Sequence, residues 1–271
     1  MILKRPSEIE AMAEAGRVNR AALEKVAAAI KPGVSTAELD SIAEDAIISA
    51  GGRPAFKGYR GFPGTLNTSI NEVVVHGIPG RRRLKEGDLL SVDIGTVYGG
   101  FVADQARTYA VGNISGDARR LLDTTEASFW AGLEQCNPGN RLGDVSAAIQ
   151  DVIEQAGFWV VREFVGHGIG RDMHEGPEVP NFGRAGTGPV LRPGLVLAIE
   201  PMVTAKRTRV RVLDDGWTAV TADGCLAAHY EHTVAITEDG PRVLTASDQS
   251  PRGQDATGEA GIGGMHGAQE E

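Results

Sequence analysis

The sequence predicts an α+β protein built from two related α/β halves. Two amphipathic helices are followed by apolar and β-branched runs, and the same order recurs further along the 271-residue chain. In each half a glycine is followed six residues later by a carboxylate, with an apolar run between them. Gly87 leads to Asp93, and Gly194 leads to Glu200. We therefore expect two halves that meet at a shared centre.

The first half begins with two predicted helices. Ser7 and Glu10 form a capping-box pattern, and apolar residues then recur at helical spacing over residues 7–31. Ser35 and Glu38 repeat the pattern ahead of a second helix, which ends at a pair of glycines. Both helices have one apolar face, so we expect them to pack against a sheet.

The hydrophobic period then changes to that of strands. Runs separated by glycine-rich turns predict strands over 72–75, 88–94 and 101–111. The second half repeats the order, with helices at about 116–135 and 143–156. Its predicted strands are 158–165, 195–201, 208–213, 217–220, 230–236 and 242–244.

Composition and charge exclude several classes of function. A net charge of −9 argues against a general affinity for nucleic acid or anionic membranes. The chain has neither a long apolar span nor a signal-peptide pattern, which predicts a cytoplasmic protein that does not engage membranes. Cys136 and Cys225 form no disulfide framework, and we expect both to be small buried residues. Residues 247–271 lack apolar periodicity, which is typical of a disordered tail.

Asp93 and Asp104 lie on adjacent predicted strands. A hairpin centred on Tyr98 and Gly99 would place the two carboxylates directly opposite each other. They could face water on a solvated sheet. The apolar residues around them favour burial instead, and buried carboxylates need a compensating cation.

The second half adds further metal-ligand types. Glu200 and Glu231 occupy comparable strand positions, and His167 lies in a glycine-rich segment that is predicted to be a loop. Four carboxylates and one neutral imidazole carry a charge of about −4, which two divalent ions would cancel. A pair of such ions is a recurring hydrolytic device. These ligands suit Mn, Fe(II) or Co, and they admit zinc.

The motifs around these residues resemble those of the type I methionine aminopeptidases, which are dinuclear metallopeptidases of the pita-bread fold. The resemblance covers about residues 2–246 and rests on segments 69–79, 91–95, 101–104, 166–170, 199–202 and 230–233. It implies one catalytic domain over 1–246, with pseudo-halves at about 1–112 and 113–246. It also implies a central antiparallel sheet flanked by helices.

The resemblance implies a role for each ligand. Asp93 would chelate one of two divalent ions (Co, Mn, Fe(II), Zn or Ni), and Asp104 and Glu231 would bridge both. His167 and Glu200 would complete the second site. Glu200 would also be the general base that takes a proton from the attacking water.

It further implies residues that contact the substrate. His174 would stabilise the developing oxyanion, and His76 would hydrogen-bond the scissile amide nitrogen. The positions that match the methionine pocket are Tyr59, Phe62, Met173 and Trp217. Asn67 stands at a pocket position where cysteine or threonine is frequent, and Val102-Ala103 also departs from the family pattern.

The activity implied is removal of the initiator methionine from nascent polypeptides whose second residue is small. An Xaa-Pro peptidase of the same fold and a catalytically silent binding homologue are the alternatives. Only 25 residues separate His174 from Glu200, which leaves no room for the insertion of type II enzymes. The resemblance favours a monomer, and the co-translational task makes the ribosome a candidate partner.

Overall fold

A computed structural model describes residues 1–246, so the predicted disordered tail at 247–271 lies outside the described residues. The helices are α1 (Pro6–Ala29), α2 (Thr36–Ser49), α3 (Gly116–Glu134) and α4 (Leu142–Gln155). The strands are β1 (Arg53–Pro54), β2 (Leu66–Ile70), β3 (Val73–Val75), β4 (Leu89–Tyr98), β5 (Phe101–Ala110), β6 (Trp159–Val160), β7 (Gly166–Gly168), β8 (Glu175–Val179), β9 (Val196–Ile199), β10 (Met202–Thr204), β11 (Val210–Val212), β12 (Ala219–Thr221), β13 (Ala227–Thr237) and β14 (Gly240–Val243).

One large antiparallel sheet carries both halves. Within residues 1–246 it has eleven strands, and its main path runs β1-β4-β5-β13-β9-β7-β8. Strands from the two halves therefore pair where β5 lies beside β13. A second sheet of three strands has the order β11-β12-β3. The predicted α+β class with a central antiparallel sheet is therefore confirmed.

Helices cover one face of the large sheet. Along β4, Leu90 and Val92 pack with residues of α1 and α2. Along β13, Tyr230 and Val234 pack with residues of α3 and α4. Because side chains alternate between the two faces of a strand, the odd-numbered residues near these positions point to the opposite face. That face is available for a site. Within residues 1–246, none of the helices combines the length and hydropathy that crossing a bilayer requires.

The two predicted helix starts have different outcomes. The capping box of Ser35 and Glu38 is confirmed, because the Glu38 carboxylate accepts the Ser35 backbone N–H at 2.8 Å. The capping box that was predicted for Ser7 and Glu10 is wrong. Helix α1 begins at Pro6, whose missing N–H costs nothing in the first turn, and the Glu8 carboxylate accepts the Arg5 N–H at 3.0 Å.

The β4–β5 hairpin differs from its predicted register. Its turn is formed by Gly99 and Gly100, with φ values of 58° and 81°. Asp93 therefore pairs with Ala106, and the prediction that it faces Asp104 is wrong. A two-residue turn of this kind needs positive φ at both central positions, which two glycines adopt easily. Because the register moves by an even number of residues, both aspartates still point to one face.

Several short strands fall outside the sequence prediction. Strand β7 contains His167, in the segment that was predicted to be a loop, and that prediction is wrong. Pairing with β8 and β9 forms this strand, since two of its three residues are glycines with little intrinsic preference for it. Cys136 is buried as expected. Cys225 is half-buried, contrary to the expectation, because it lies between strands near the surface.

Candidate metal centre and active site

Five neighbouring strands of the large sheet each bring one predicted ligand to the same region. In sheet order, β4 carries Asp93, β5 carries Asp104 and β13 carries Glu231. Glu200 directly follows the end of β9, and His167 lies on β7. The central strands of both halves therefore meet at one site.

Strand register places these side chains on the same face. Asp93 and Glu231 both pair with Ala106, so they lie in one row across three strands. His167 pairs with Ala198, which lies two residues before Glu200. Since residues two apart in a strand share a face, the ligands project from the side opposite the helices.

Side-chain distances show how closely the groups converge. Ligand atoms of Asp104, His167 and Glu231 all lie within 4.8 Å of one another. The Nε2 atom of His167 is 3.6 Å from Oε1 of Glu200. At the other end of the site, the Asn67 side chain donates a hydrogen bond of 2.6 Å to Oδ2 of Asp93.

Buried oxygen atoms without partners test whether this site fits a metal. Oδ1 of Asp93, Oδ1 of Asp104 and Oε1 of Glu231 are buried and accept no hydrogen bond from any described residue. A buried carboxylate that lacks a partner is costly, because it has lost its hydration without compensation. Divalent cations compensate such oxygens, so the residues present fit a metal centre.

The electrostatics of the site point the same way. Burial raises the pKa of Asp93 to about 7, and it raises the pKa of Asp104, Glu200 and Glu231 well above the ordinary value. Repulsion from neighbouring carboxylates adds to the increase for the last three. Without a cation, the charged forms of these groups destabilise one another. A divalent ion would stabilise them.

The predicted imidazole ligand is in a suitable state for binding. Burial lowers the pKa of His167 to about 4, so the ring is neutral at pH 7. Its Nδ1 atom is 2.9 Å from the backbone oxygen of Gly168, which assigns the N–H to Nδ1. The lone pair of Nε2 then faces the carboxylates, as is usual for a histidine that binds metal.

A cavity of about 220 Å³ opens beside the carboxylates. Among the predicted pocket residues, Tyr59, Phe62, Asn67 and Trp217 line it. Met173 is not one of the lining residues, since it packs in the buried cluster that also holds Phe62. The cavity therefore has a polar wall of ligands and an apolar wall of aromatic rings.

The two predicted catalytic histidines outside the ligand set also line the cavity. Nδ1 of His174 is hydrogen-bonded to the Tyr59 hydroxyl at 2.8 Å, and its ring centroid lies 4.3 Å from that of His167. His76 directly follows β3 and has a φ of 60°, a conformation rare for a residue other than glycine. Such local strain is often retained at functional sites. Burial lowers the pKa of His76 to about 4, so this ring is neutral.

The structure adds residues that the sequence analysis did not single out. The additional lining residues are Phe56, Arg60, Val75, Phe164, Val165 and Met202. His229 is also close, with Nε2 at 3.8 Å from Oε2 of Glu200. The sequence spacing could have identified His229. It stands two residues before Glu231 on the same strand, so the two side chains share a face.

Comparisons with known proteins agree with this geometry. The model of the metallopeptidase family M24 matches residues 10–238. The methionine aminopeptidase of Clostridium perfringens is 54% identical over 245 residues, which cover 90% of this chain and 98% of the relative. Methionine aminopeptidase 1 of Bacillus subtilis is 52% identical, with 90% and 99% covered. The crystal structure of methionine aminopeptidase from Thermotoga maritima superposes with a TM-score of 0.89 at 46% identity, covering 91% of this chain and all of that one.

The chain belongs to the metallopeptidase family M24, whose pita-bread fold it has. The family match spans the strands that bring the five predicted ligands together. Within the family the chain groups with the methionine aminopeptidases, which match it over nearly their whole length.

Proposed function

We propose that the protein hydrolyses the bond after an N-terminal methionine in newly made polypeptides whose second residue is small. One observation carries the proposal: side chains of the types that bind metals converge from both halves beside an aromatic cavity that also holds His76 and His174. Because these substrates are nascent chains, we place the reaction in the cytoplasm.

Two divalent ions are the proposed cofactors. Asp93 would hold one ion, Asp104 and Glu231 would be shared, and His167 and Glu200 would complete the second site. The charge of about −4 on this set matches two doubly charged cations. The mixed oxygen and nitrogen donors suit Mn, Fe(II) or Co, and Zn and Ni accept the same donors. When bound, the ions polarise the scissile carbonyl and make water more acidic.

Glu200 is the proposed general base. Its carboxylate takes a proton from the water that attacks the carbonyl carbon of the methionine. As the carbon–nitrogen bond breaks, the same carboxyl group can return the proton to the leaving amine. Burial and the nearby Asp93 carboxylate raise the pKa of Glu200 above its ordinary value, and a bound cation would favour the charged form that accepts the proton.

The histidines beside the ligands would contact the reacting amide. The Tyr59 hydroxyl occupies Nδ1 of His174, which leaves Nε2 available to stabilise the negative charge that develops on the carbonyl oxygen. His76 would bind the scissile amide nitrogen. It is held against Phe164 and Trp217, with ring centroids 5.3 Å and 6.3 Å away.

The apolar wall of the cavity would select methionine. Phe62 and Trp217 pack edge to face, with centroids 5.1 Å apart, and Tyr59 lies beside them. A thioether against aromatic rings gains about 0.3–1.5 kcal/mol over a plain apolar contact. An unbranched side chain also fits a narrow pocket better than a β-branched one.

Hydrolysis of short peptides tests the proposal. Protein that is stripped with a chelator and reloaded with Mn or Co should release methionine from Met-Ala-Ser and leave an Xaa-Pro peptide intact. Cleavage of the Xaa-Pro peptide alone would replace the proposal with the dipeptidase alternative. Cleavage of neither peptide would favour a silent binding protein.

A further inference from the structure

His229 is a buried histidine beside the proposed metal centre that the ligand set does not use. Its side chain is only 2% exposed, and it shares a face of β13 with Glu231. Its Nε2 atom has no hydrogen-bond partner among the described residues. A buried polar atom in this state is rare in folded proteins and calls for a function.

The surroundings of this nitrogen are anionic. Nε2 lies 3.8 Å from Oε2 of Glu200 and 3.9 Å from Oε2 of Glu231. The other oxygen of Glu200, Oε1, lies 3.6 Å from Nε2 of His167. The two oxygens of one carboxylate therefore face two different imidazoles.

Charge decides where the proton of His229 sits. Two carboxylates face Nε2, and they stabilise the tautomer in which that nitrogen holds the proton. Nε2 is then a hydrogen-bond donor, although at 3.8 Å it is too far from Glu200 for a formed bond. Hydrogen bonds at catalytic groups are often long before the substrate complex forms.

The backbone of His229 is firmly placed, whereas the carboxylate of Glu200 is not. Thr108 Oγ1 accepts the N–H of His229 and donates to its C=O, both at 2.8 Å. Glu200 lies beyond the last residue of β9 and precedes Pro201. Among residues 1–246, no hydrogen bond reaches its carboxylate. The proposed metal would hold one oxygen of this carboxylate, and a contact from a neighbouring side chain would fix the other.

We propose that His229 is a positioning residue that donates from Nε2 to Oε2 of Glu200. The contact leaves Oε1 of Glu200 on the side of His167 and the metal. This inference deepens the proposed function and rests on it. It assigns to His229 the orientation of the general base rather than contact with the substrate.

Two substitutions separate hydrogen bonding from packing. His229→Gln keeps an N–H donor, and His229→Leu has a similar volume without one. We expect the Leu variant to lower kcat on Met-Ala-Ser by about 10–100-fold with KM within about twofold, and to weaken Co(II) binding about tenfold by calorimetry. The Gln variant should retain kcat within about threefold. His232→Gln, on the opposite face of the same strand, is the matched control and should bind Co(II) like the wild type.

Proton NMR of the Co(II)-loaded wild type supplies a readout that needs no variant. We expect one imidazole N–H with the large contact shift of a ring that binds the metal directly, from His167. Two such signals would make His229 a direct ligand and overturn the proposal. Equal losses in the Gln and Leu variants, or wild-type behaviour of the Leu variant, would also overturn it. If the wild type neither binds Co(II) nor cleaves the peptide, the proposed function itself fails.

Discussion

The two halves of the molecule build the metal centre in different ways. In the first half, Asp93 and Asp104 lie on one hairpin, whose two-glycine turn fixes the register of consecutive strands. In the second half, Glu200 and Glu231 come from β9 and β13, and His167 comes from β7, so pairing between distant segments places them. Local sequence therefore determines the first pair, and tertiary structure determines the second set.

The halves also differ in how their ligands are held. Asn67 on the neighbouring strand β2 already hydrogen-bonds the carboxylate of Asp93. The Glu200 carboxylate stands at the end of a longer side chain and accepts no hydrogen bond from residues 1–246, and Nε2 of His229 lies 3.8 Å from its Oε2. Asp93 is thus oriented by a hydrogen bond that is already formed, whereas Glu200 needs a further contact to complete its geometry.

The largest expected effect comes from removing one shared carboxylate from either half. Asp104→Asn and Glu231→Gln should each lower kcat by about 10³-fold or more, because each loses transition-state stabilisation of several kcal/mol from the cations. Peptide assays with calorimetric counting of bound metal check this. Asp123→Asn, an exposed residue of α3, is the control. Full activity in either ligand variant would refute the proposal that the substituted carboxylate is shared by the two ions.

His174→Ala should have the next largest effect. If this side chain stabilises charge only in the transition state, kcat falls by about 10²–10³-fold while KM stays nearly constant. Steady-state kinetics on Met-Ala-Ser measure both constants. A variant with unchanged kcat would remove His174 from the mechanism, and a change in KM alone would limit it to substrate binding.

Asn67→Ala tests the preorganisation of the first half. Loss of the hydrogen bond to Asp93 should weaken Co(II) binding about tenfold, since supporting contacts tune metal affinity by this order. Titration calorimetry measures it. Thr68→Ala, at the next position of β2, should bind Co(II) normally. Wild-type affinity in the Asn67 variant would show that Asp93 needs no such support.

The smallest expected effect is on stability without metal. The pKa of Asp93 is raised from 3.8 in the unfolded chain to about 7 in the folded protein, so the folded state binds the proton more tightly. The proton on Asp93 therefore adds to the free energy of unfolding in full below pH 4, and this stabilisation is lost as the pH rises to 7. Between these values the Tm of chelated wild type should fall by about 5 °C more than that of Asp93→Asn. Equal falls in the Tm of both proteins between pH 4 and pH 7 would contradict a raised pKa of the buried Asp93.

The sequence predicted most of what local pattern controls. Both helix pairs and the long strands were found from their periodicity. The Asp93–Asp104 hairpin was found as well, although its register was wrong. The Gly99-Gly100 pair, which takes positive φ at both turn positions, was the signal for the correct register.

The structural features that the sequence did not predict depend on contacts between distant segments. Strand β7 is too short and too rich in glycine to be recognised without its partners. The bond from Asn67 to Asp93 requires the register of β2 against β4. The position of Met173 outside the cavity lining likewise depends on how the aromatic cluster packs.

Anomalous diffraction from crystals loaded with Mn(II) tests most directly whether both halves hold one metal pair. We predict two peaks about 3.5–4 Å apart, within contact of Asp93 and Asp104 from the first half and of His167, Glu200 and Glu231 from the second. A single peak bound by one half alone would contradict the account, as would carboxylates that turn away from each other with no ion between them.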